Sequence, residues 1–191
     1  MAAELAVQME GSIESLVLLD PALEISAEYA LGRAEIDRLD WSFETPEGGV
    51  NALLAGSDVI ATSRETIETY VKEDMRRGSD GLYRFSFCPS AVVAAWSEMC
   101  LPAPPIAAVP TLALIAQGSS FTVPLEERYR ASLAARFSVV RVPNGHNVLW
   151  ESAEETAVAV EHFLDVGGVD VLGLDPVPGY VDAHGSFHLL G

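Results

Sequence analysis

Residues 111–116 are Thr111-Leu112-Ala113-Leu114-Ile115-Ala116, an unbroken apolar run that follows Pro110 and ends at Gln117-Gly118. A short run without polar alternation is typical of a strand that is buried on both faces of a parallel sheet. We therefore predict a central strand here, and the neighbouring segments are interpreted around it.

The residues after this strand predict a helix, a strand and a second helix. The first helix begins near Pro124, and its apolar stripe recurs every fourth residue at Leu125, Tyr129, Leu133 and Phe137. Val139 to Val142 predicts the next strand, and Ser152 with Glu155 has the spacing that caps a last helix reaching Asp165. The alternation of strands and helices indicates a parallel α/β unit.

A second buried strand is predicted well before the central one, over Ser15-Leu16-Val17-Leu18-Leu19-Asp20-Pro21. A helix over Met1 to Met9 precedes it, with Leu5, Ala6 and Met9 on one side. The sequence therefore predicts an α/β fold with about three parallel strands.

The long segment between these two strands has a different pattern. Residues 22–105 are richer in polar residues and show helical periods, with one helix that opens at Thr62 and Glu65 and stops at Gly78. No further buried strand is predicted there. The chain is accordingly divided into a core helix and strand (1–21), an inserted helical region (22–105), a second core segment (106–165) and a glycine-rich tail (166–191) without regular structure.

Composition excludes several classes of partner. The formal net charge of −17 would repel nucleic acid and anionic lipid, because binding to phosphate needs clustered Lys and Arg. The richest apolar stretch, residues 91–116, is interrupted by four prolines and predicts no membrane span. The only two cysteines, Cys88 and Cys100, favour buried thiols in a reducing compartment, so we expect a cytoplasmic protein.

This order of segments resembles the second half of the α/β-hydrolase family. Residues 15–21 are similar to its sixth strand, 22–105 to the cap that follows it, 111–117 to its seventh strand and 138–142 to its eighth. The most specific piece is Val142-Pro143-Asn144-Gly145-His146, a turn that lies where the family places its general base. The resemblance implies an incomplete α/β-hydrolase sheet with an inserted helical cap.

His146 is the candidate catalytic base. Open α/β sheets carry their reactive groups at the carboxyl ends of the strands, and an imidazole can accept and return a proton near neutral pH. The alternative is that a lone histidine in an Asn-Gly turn is an ordinary surface residue.

The sequence departs from the family at the nucleophile, because it contains no Gly-x-Ser-x-Gly elbow. In the family this elbow precedes the helix that leads to the sixth strand, and Met1 falls within that helix. We expect a truncated form of a longer protein; a natural short relative without the reaction is the alternative.

The second departure is the acid that orients the histidine. The family usually places it after the seventh strand, where Gly118-Ser119-Ser120-Phe121-Thr122 supplies no carboxylate. The resemblance makes Asp20 the substitute, because some members use an acid at the end of the sixth strand. The alternative is that Asp20-Pro21 is only a turn, with the carboxylate bonded to nearby amides.

Two further groups of residues have both a functional and a structural interpretation. Aromatic side chains of the inserted region could line an apolar pocket or form its own core, namely Trp41, Phe43, Tyr83, Phe85, Phe87 and Trp96. Asp182, His184 and His188 have a spacing found in metal sites, but a glycine-rich tail offers no rigid scaffold, so no metal or cofactor is predicted.

Two functions remain open. The first is part of an esterase- or lipase-like hydrolase acting on a small apolar or ester substrate, inactive alone because the nucleophile is absent. The second is a non-catalytic module that binds a ligand or another protein. In either case the first predicted strand would leave an apolar edge unpaired, which invites self-association.

Overall fold

The computed structural model describes residues 2–9, 11–56, 62–117, 119, 121 and 123–165, and the backbone of residues 179–181 and 187–189. The chain divides into two compact units. We call Met1–Pro21 with Pro104–Gly191 the core unit, and Ala22–Ala103 the inserted unit.

The core unit contains the predicted three-stranded parallel sheet. Its elements are α1 (Ala2–Gln8), β1 (Leu16–Leu19), β5 (Thr111–Ala116), α6 (Val123–Leu133), a 3-10 turn (Ala134–Arg136), β6 (Phe137–Val142), α7 (Val148–Glu151) and α8 (Ala153–Asp165). The strand order is β1-β5-β6, with Leu16 opposite Thr111 and Ala116 opposite Val142. The parallel sheet confirms the predicted fold class.

Strand β5 is the centre of this sheet, and all six of its residues are buried. On one face Leu112 and Leu114 pack with Phe163 of α8. On the other side of β6, Phe137 lies against Tyr129 of α6, with ring centroids 5.2 Å apart. Helices on both faces of the sheet explain why this strand has no polar alternation.

Three predictions in the core unit are wrong in detail. Phe137 begins β6 instead of ending the helical stripe, because Ala134 adopts a φ of +50° and the 3-10 turn ends the helix. Helix α1 buries Ala3 and Ala6, whereas Leu5 and Met9 are exposed. Strand β1 fully buries only Leu18, because it lies at the edge of the described sheet.

The inserted unit is helical, as predicted, and also contains a small sheet. Its helices are α2 (Ala27–Asp37), α3 (Pro46–Leu54), α4 (Arg64–Asp74) and α5 (Pro89–Met99). Its strands are β2 (Ser42–Phe43), β3 (Met75–Arg77) and β4 (Tyr83–Phe85), which form an antiparallel sheet in the order β2-β4-β3. The sequence predicted no further buried strand, and these strands are only partly buried, with Met75 and Phe85 as their buried residues. Strands of two or three residues are too short to show a period in the sequence.

The helix predicted from Thr62 to Gly78 is shorter at both ends. It begins after Ser63, whose Oγ accepts a hydrogen bond from the Thr66 amide at 3.1 Å, and Met75 already belongs to β3. Gly78 lies in the turn of the hairpin that joins β3 to β4, where its amide donates to the Leu82 carbonyl at 2.8 Å.

The cysteines also differ from expectation: Cys88 and Cys100 are both free, but Cys88 is exposed.

The predicted glycine-rich tail, residues 166–191, lies mostly outside the described residues. Within it the structure describes two short strands, β7 (Gly179–Val181) and β8 (Phe187–Leu189), which pair antiparallel where no regular structure was expected. Tyr, Val and Phe favour strands, which accounts for the pairing.

None of the described helices is long and apolar enough to cross a membrane.

Candidate active site

Asp20 occupies the first position after β1, at the carboxyl end of the sheet. Its amide donates to the Leu114 carbonyl at 2.7 Å, so the residue remains attached to the neighbouring strand β5. Its φ of +40° lies in the left-handed region, which aspartate tolerates better than most residues with a side chain. The backbone thus turns sharply where β1 ends.

The Asp20 side chain is buried and accepts two hydrogen bonds. Its Oδ1 accepts from the Ala116 amide at 3.0 Å, and its Oδ2 lies 2.6 Å from Nδ1 of His146. A buried carboxylate is stable only when its oxygens are bonded, and charge-assisted hydrogen bonds are the strongest kind. Each carboxylate oxygen of Asp20 thus has its own partner, the Ala116 amide for Oδ1 and the His146 ring for Oδ2.

His146 lies in the loop between β6 and α7, 126 residues from Asp20 in sequence. Its side chain is 59% exposed, whereas that of Asp20 is 0% exposed. An ionised carboxylate only accepts hydrogen bonds, so a neutral ring bonded to one has its proton on Nδ1 and Nε2 as its basic nitrogen. The contact with Asp20 is the geometry that favours this tautomer in an accessible imidazole.

The loop that carries His146 is held by residues that follow it. Asn144, at a φ of +70°, donates from Nδ2 to the Glu151 carbonyl at 2.8 Å. The Gly145 amide donates to Oε2 of Glu151 at 2.6 Å, and Ser152 Oγ donates to the Pro143 carbonyl at 2.8 Å. Sequence reasoning missed the part played by Glu151 and assigned Ser152 only to helix capping.

No carboxylate follows β5, where the resemblance would place the acid. Residues 118, 120 and 122 lie outside the described residues, and Ser119 Oγ accepts a hydrogen bond from the Phe121 amide at 3.0 Å. Asp20 is thus the carboxylate that the structure brings to His146.

The aromatic residues predicted as a pocket or a core belong largely to the core of the inserted unit. Phe85 is buried, and Trp41, Phe43 and Tyr83 pack against its cluster. Trp96 joins α5 to α2, because its Nε1 donates to Oδ2 of Asp37 at 2.6 Å.

The tail residues that have the spacing of a metal site cannot be assigned one from this structure. Asp182, His184 and the side chain of His188 lie outside the described residues. Within the described residues no group of three or more His, Cys, Asp or Glu side chains could hold a metal ion.

Comparisons with known proteins identify solved structures of the same fold. No protein-family model and no curated protein sequence matches the chain. Among solved structures, an E-2-(acetamidomethylene)succinate hydrolase matches with a TM-score of 0.70 and 20% identity, over 85% of this chain and 62% of that chain. An esterase of M. tuberculosis matches with a TM-score of 0.60 and 17% identity, over 86% and 58% of the two chains.

A third structure is described as an α/β hydrolase from Novosphingobium aromaticivorans, with a TM-score of 0.58 and 21% identity, over 80% of this chain and 57% of that chain. The protein thus spans about 60% of the length of the structures it resembles. At these identities the likeness concerns the fold.

Proposed function

We propose that this chain, which has the α/β-hydrolase fold, supplies a general base and its orienting acid to a hydrolase of esters or related substrates. The base is His146 and the acid is Asp20. The proposal concerns covalent catalysis, in which a nucleophilic side chain attacks the substrate and water later releases the product. Neither residue acts on the substrate carbon itself. Their part is the transfer of protons.

The observation that carries the proposal is the 2.6 Å contact between Nδ1 of His146 and Oδ2 of Asp20. With Nδ1 protonated, Nε2 can accept the proton of an attacking hydroxyl and later donate it to the leaving group. The Asp20 carboxylate stabilises the imidazolium that forms between these two steps. The exposed ring can exchange protons with a reactant, and the buried carboxylate is held in place by two hydrogen bonds.

The nucleophile is the missing part of the proposed machinery. The sequence has no Gly-x-Ser-x-Gly elbow, and in this fold the amides that stabilise the oxyanion come from the residue after the nucleophile and from an earlier loop. His146 would therefore have no elbow serine to activate within these 191 residues. We propose that the chain alone does not turn over esters.

The substrate class rests on the neighbours and on charge. One matching structure is named an esterase, which makes a small, apolar ester the first substrate to test. A net charge of −17 disfavours nucleic acid as a partner. The two free cysteines agree with a reducing compartment, which extends the proposal to a cytoplasmic location.

The proposal is tested in two steps with short p-nitrophenyl esters. The 191-residue chain and its His146→Ala variant should both hydrolyse them at the buffer rate. If the DNA upstream of Met1 encodes an elbow in frame, the extended protein should be active, and His146→Ala should lower kcat by at least about 1000-fold. Glu154→Ala, which removes an exposed carboxylate of α8, is the matched control and should leave kcat unchanged.

Two results would contradict the proposal. Turnover by the short chain that His146→Ala abolishes would show that its own residues supply a nucleophile. An active extended protein that is indifferent to His146→Ala would remove His146 from the mechanism.

A non-catalytic binding module is the second candidate. It is favoured by an open groove of about 330 Å³ in the inserted unit. Its lining includes the buried apolar residues Val50, Val71 and Met75, together with Glu47, Glu68 and Lys72. Saturable binding of a fluorescent apolar probe that Glu68→Trp, a change at an exposed lining residue, abolishes in folded protein would support this candidate.

Self-association through β1 belongs to the same candidate. Strand β1 has β5 on one side and no described strand on the other. Light scattering coupled to gel filtration should detect a dimer that a Val17→Lys substitution on β1 dissociates; a monomer at all concentrations would exclude it.

A further inference from the structure

We infer that Glu151 is a positioning residue for the proposed base: its carboxylate fixes the loop that presents His146 to Asp20. The inference rests on the proposed function, because it assigns a task to Glu151 only in relation to His146. It is carried by contacts that do not involve Asp20: they come from residues that follow His146 in the sequence.

Glu151 binds the loop through both its side chain and its backbone. Oε2 accepts the Gly145 amide at 2.6 Å, one residue before His146. The Glu151 carbonyl accepts Nδ2 of Asn144 at 2.8 Å, and the Glu151 amide donates to the Asn147 carbonyl at 3.0 Å. The residues on both sides of His146 are therefore bonded to one glutamate.

These bonds hold a backbone that would otherwise relax. Asn144 has a φ of +70°, a conformation that costs energy for a residue with a side chain and persists when neighbouring contacts impose it. The Gly145 amide is a backbone donor in a buried residue, so it needs a partner. A charged acceptor satisfies it more strongly than a neutral one.

Gly145 is matched to this carboxylate in size. A Cβ at residue 145 would lie 2.6 Å from Oε2 and 3.2 Å from Oε1 of Glu151, so an alanine would push the carboxylate away from the amide. The φ of Gly145 is not in the left-handed region, so alanine itself is compatible with this backbone. Gly145→Ala therefore breaks the same contact as Glu151→Ala from the other side.

The consequence for His146 is geometric. Its Nδ1 reaches Oδ2 of Asp20 only if the loop holds the ring over the end of β1, and the bond length of 2.6 Å leaves little room for displacement. Loss of the Glu151 contact should let the ring move away from Asp20. A free imidazole then prefers the proton on Nε2, the wrong nitrogen for a base.

The test measures the tautomer of His146 directly in the full chain. Long-range ¹H–¹⁵N spectra, recorded at a pH high enough for the signals of the neutral ring to appear, distinguish a proton on Nδ1 from one on Nε2, and His146→Ala assigns the signals among the four histidines. The native chain should carry the proton mainly on Nδ1. Glu151→Ala and Gly145→Ala should each lower the ratio of the two tautomers about tenfold.

Three further variants separate the causes. Glu151→Gln keeps an oxygen that can accept the Gly145 amide and should retain the native tautomer. Glu154→Ala should also retain it. The double variant Gly145→Ala/Glu151→Ala should be no worse than either single one, because both remove one contact.

Asp20→Asn separates this inference from the proposed function. Since Oδ1 faces the Ala116 amide, the new amide nitrogen would face Nδ1 and shift the proton to Nε2. If Asp20→Asn changes the tautomer but Glu151→Ala and Gly145→Ala leave it within about twofold in folded protein, Glu151 is not a positioning residue and the proposed pair stands. If Asp20→Asn changes nothing, the proposed pair itself is wrong. A folded Glu151→Gln variant that behaves like Glu151→Ala would overturn the hydrogen-bond basis of the inference.

Discussion

Both units of this chain contain contacts between distant segments, and the inserted unit adds local caps and a tight turn. In the core unit, Leu16 pairs with Thr111, and Asp20 reaches His146 across 126 residues. In the inserted unit, β3 pairs with β4 through a tight hairpin, and three helices begin at a residue whose own side chain accepts a backbone amide: Ser26, Thr45 and Ser63. Long-range pairing builds the candidate site. In the inserted unit, local caps and turns act beside long-range contacts such as the one from Trp96 to Asp37.

The two units should therefore differ in how far the effect of a single substitution spreads. A residue of the core unit is held by partners from distant segments, so one substitution disturbs several elements together. A cap or a turn of the inserted unit mainly affects the element it belongs to. Four residues test this difference: Phe163 and Asp20 in the core unit, and Ser63 and Asp80 in the inserted unit.

Phe163→Ala should lower the free energy of unfolding by about 3–5 kcal/mol, because it opens a cavity between α8 and the sheet. Phe163 is 0% exposed, whereas the adjacent Leu164 is 55% exposed. Leu164→Ala should therefore change the free energy by less than about 0.5 kcal/mol in the same urea titration. Equal effects at both positions would mean that α8 does not face the sheet as described.

Asp20→Ala should lower the free energy of unfolding by about 1–3 kcal/mol, because the buried Ala116 amide loses its acceptor. Asp20→Asn keeps an oxygen for that amide, so its loss should be smaller. Urea titrations of the two variants give the comparison. If asparagine were as destabilising as alanine, the bond to Ala116 would not be the stabilising contact.

Ser63→Ala should cost about 0.5–2 kcal/mol of local stability at the start of α4, where Ser63 is the N-cap. Hydrogen exchange of peptides from residues 64–74 should rise, while exchange in β5 stays unchanged. Ser63→Gly should cost only a few tenths of a kcal/mol. A larger effect in β5 than in α4 would contradict the local character of the inserted unit.

Asp80 should show the smallest effect, a local dependence on pH. Its hydrogen bonds to Arg84 and to the Leu82 amide lower the pKa of this carboxyl from 3.8 to about 2. A carboxyl with a lowered pKa stabilises the fold above its unfolded pKa, and this contribution is lost as the pH falls from about 4 to about 2. Carboxyl ¹³C shifts should give the low midpoint, and Arg84→Ala should return it towards 3.8.

The difference in range also explains which features the sequence predicts well. The run from Thr111 to Ala116 was confirmed as a strand with the same bounds, because burial on both faces leaves a continuous apolar signal. The helix after it was also predicted, but Phe137 begins the next strand and does not end the helix. A buried aromatic residue is equally expected on the core side of a strand and of a helix, so its type does not distinguish them. Strands β2, β3 and β4 were missed because they are too short to show alternation.

The candidate site was predictable in part. A glycine-histidine turn after a buried strand predicted His146. The resemblance to the family, with no carboxylate in residues 118–122, predicted Asp20. The glutamate that binds the Gly145 amide gave no comparable signal, because a glutamate in a short helix is ordinary in sequence.

The sequence alone predicts the main strands and helices of the core unit up to Asp165, the buried central strand and the loop that carries His146, because burial and turn chemistry act on neighbouring residues and leave a local pattern. Only the tertiary structure decided that Oδ2 of Asp20 meets Nδ1 of His146 and that Glu151 holds the loop between them. The contact between Asp20 and His146 joins segments that parallel pairing brings together, so the sheet sets their distance in space and no pattern along the chain reveals it. Glu151 and Gly145 are only six residues apart, but their contact depends on how the loop and α7 fold together.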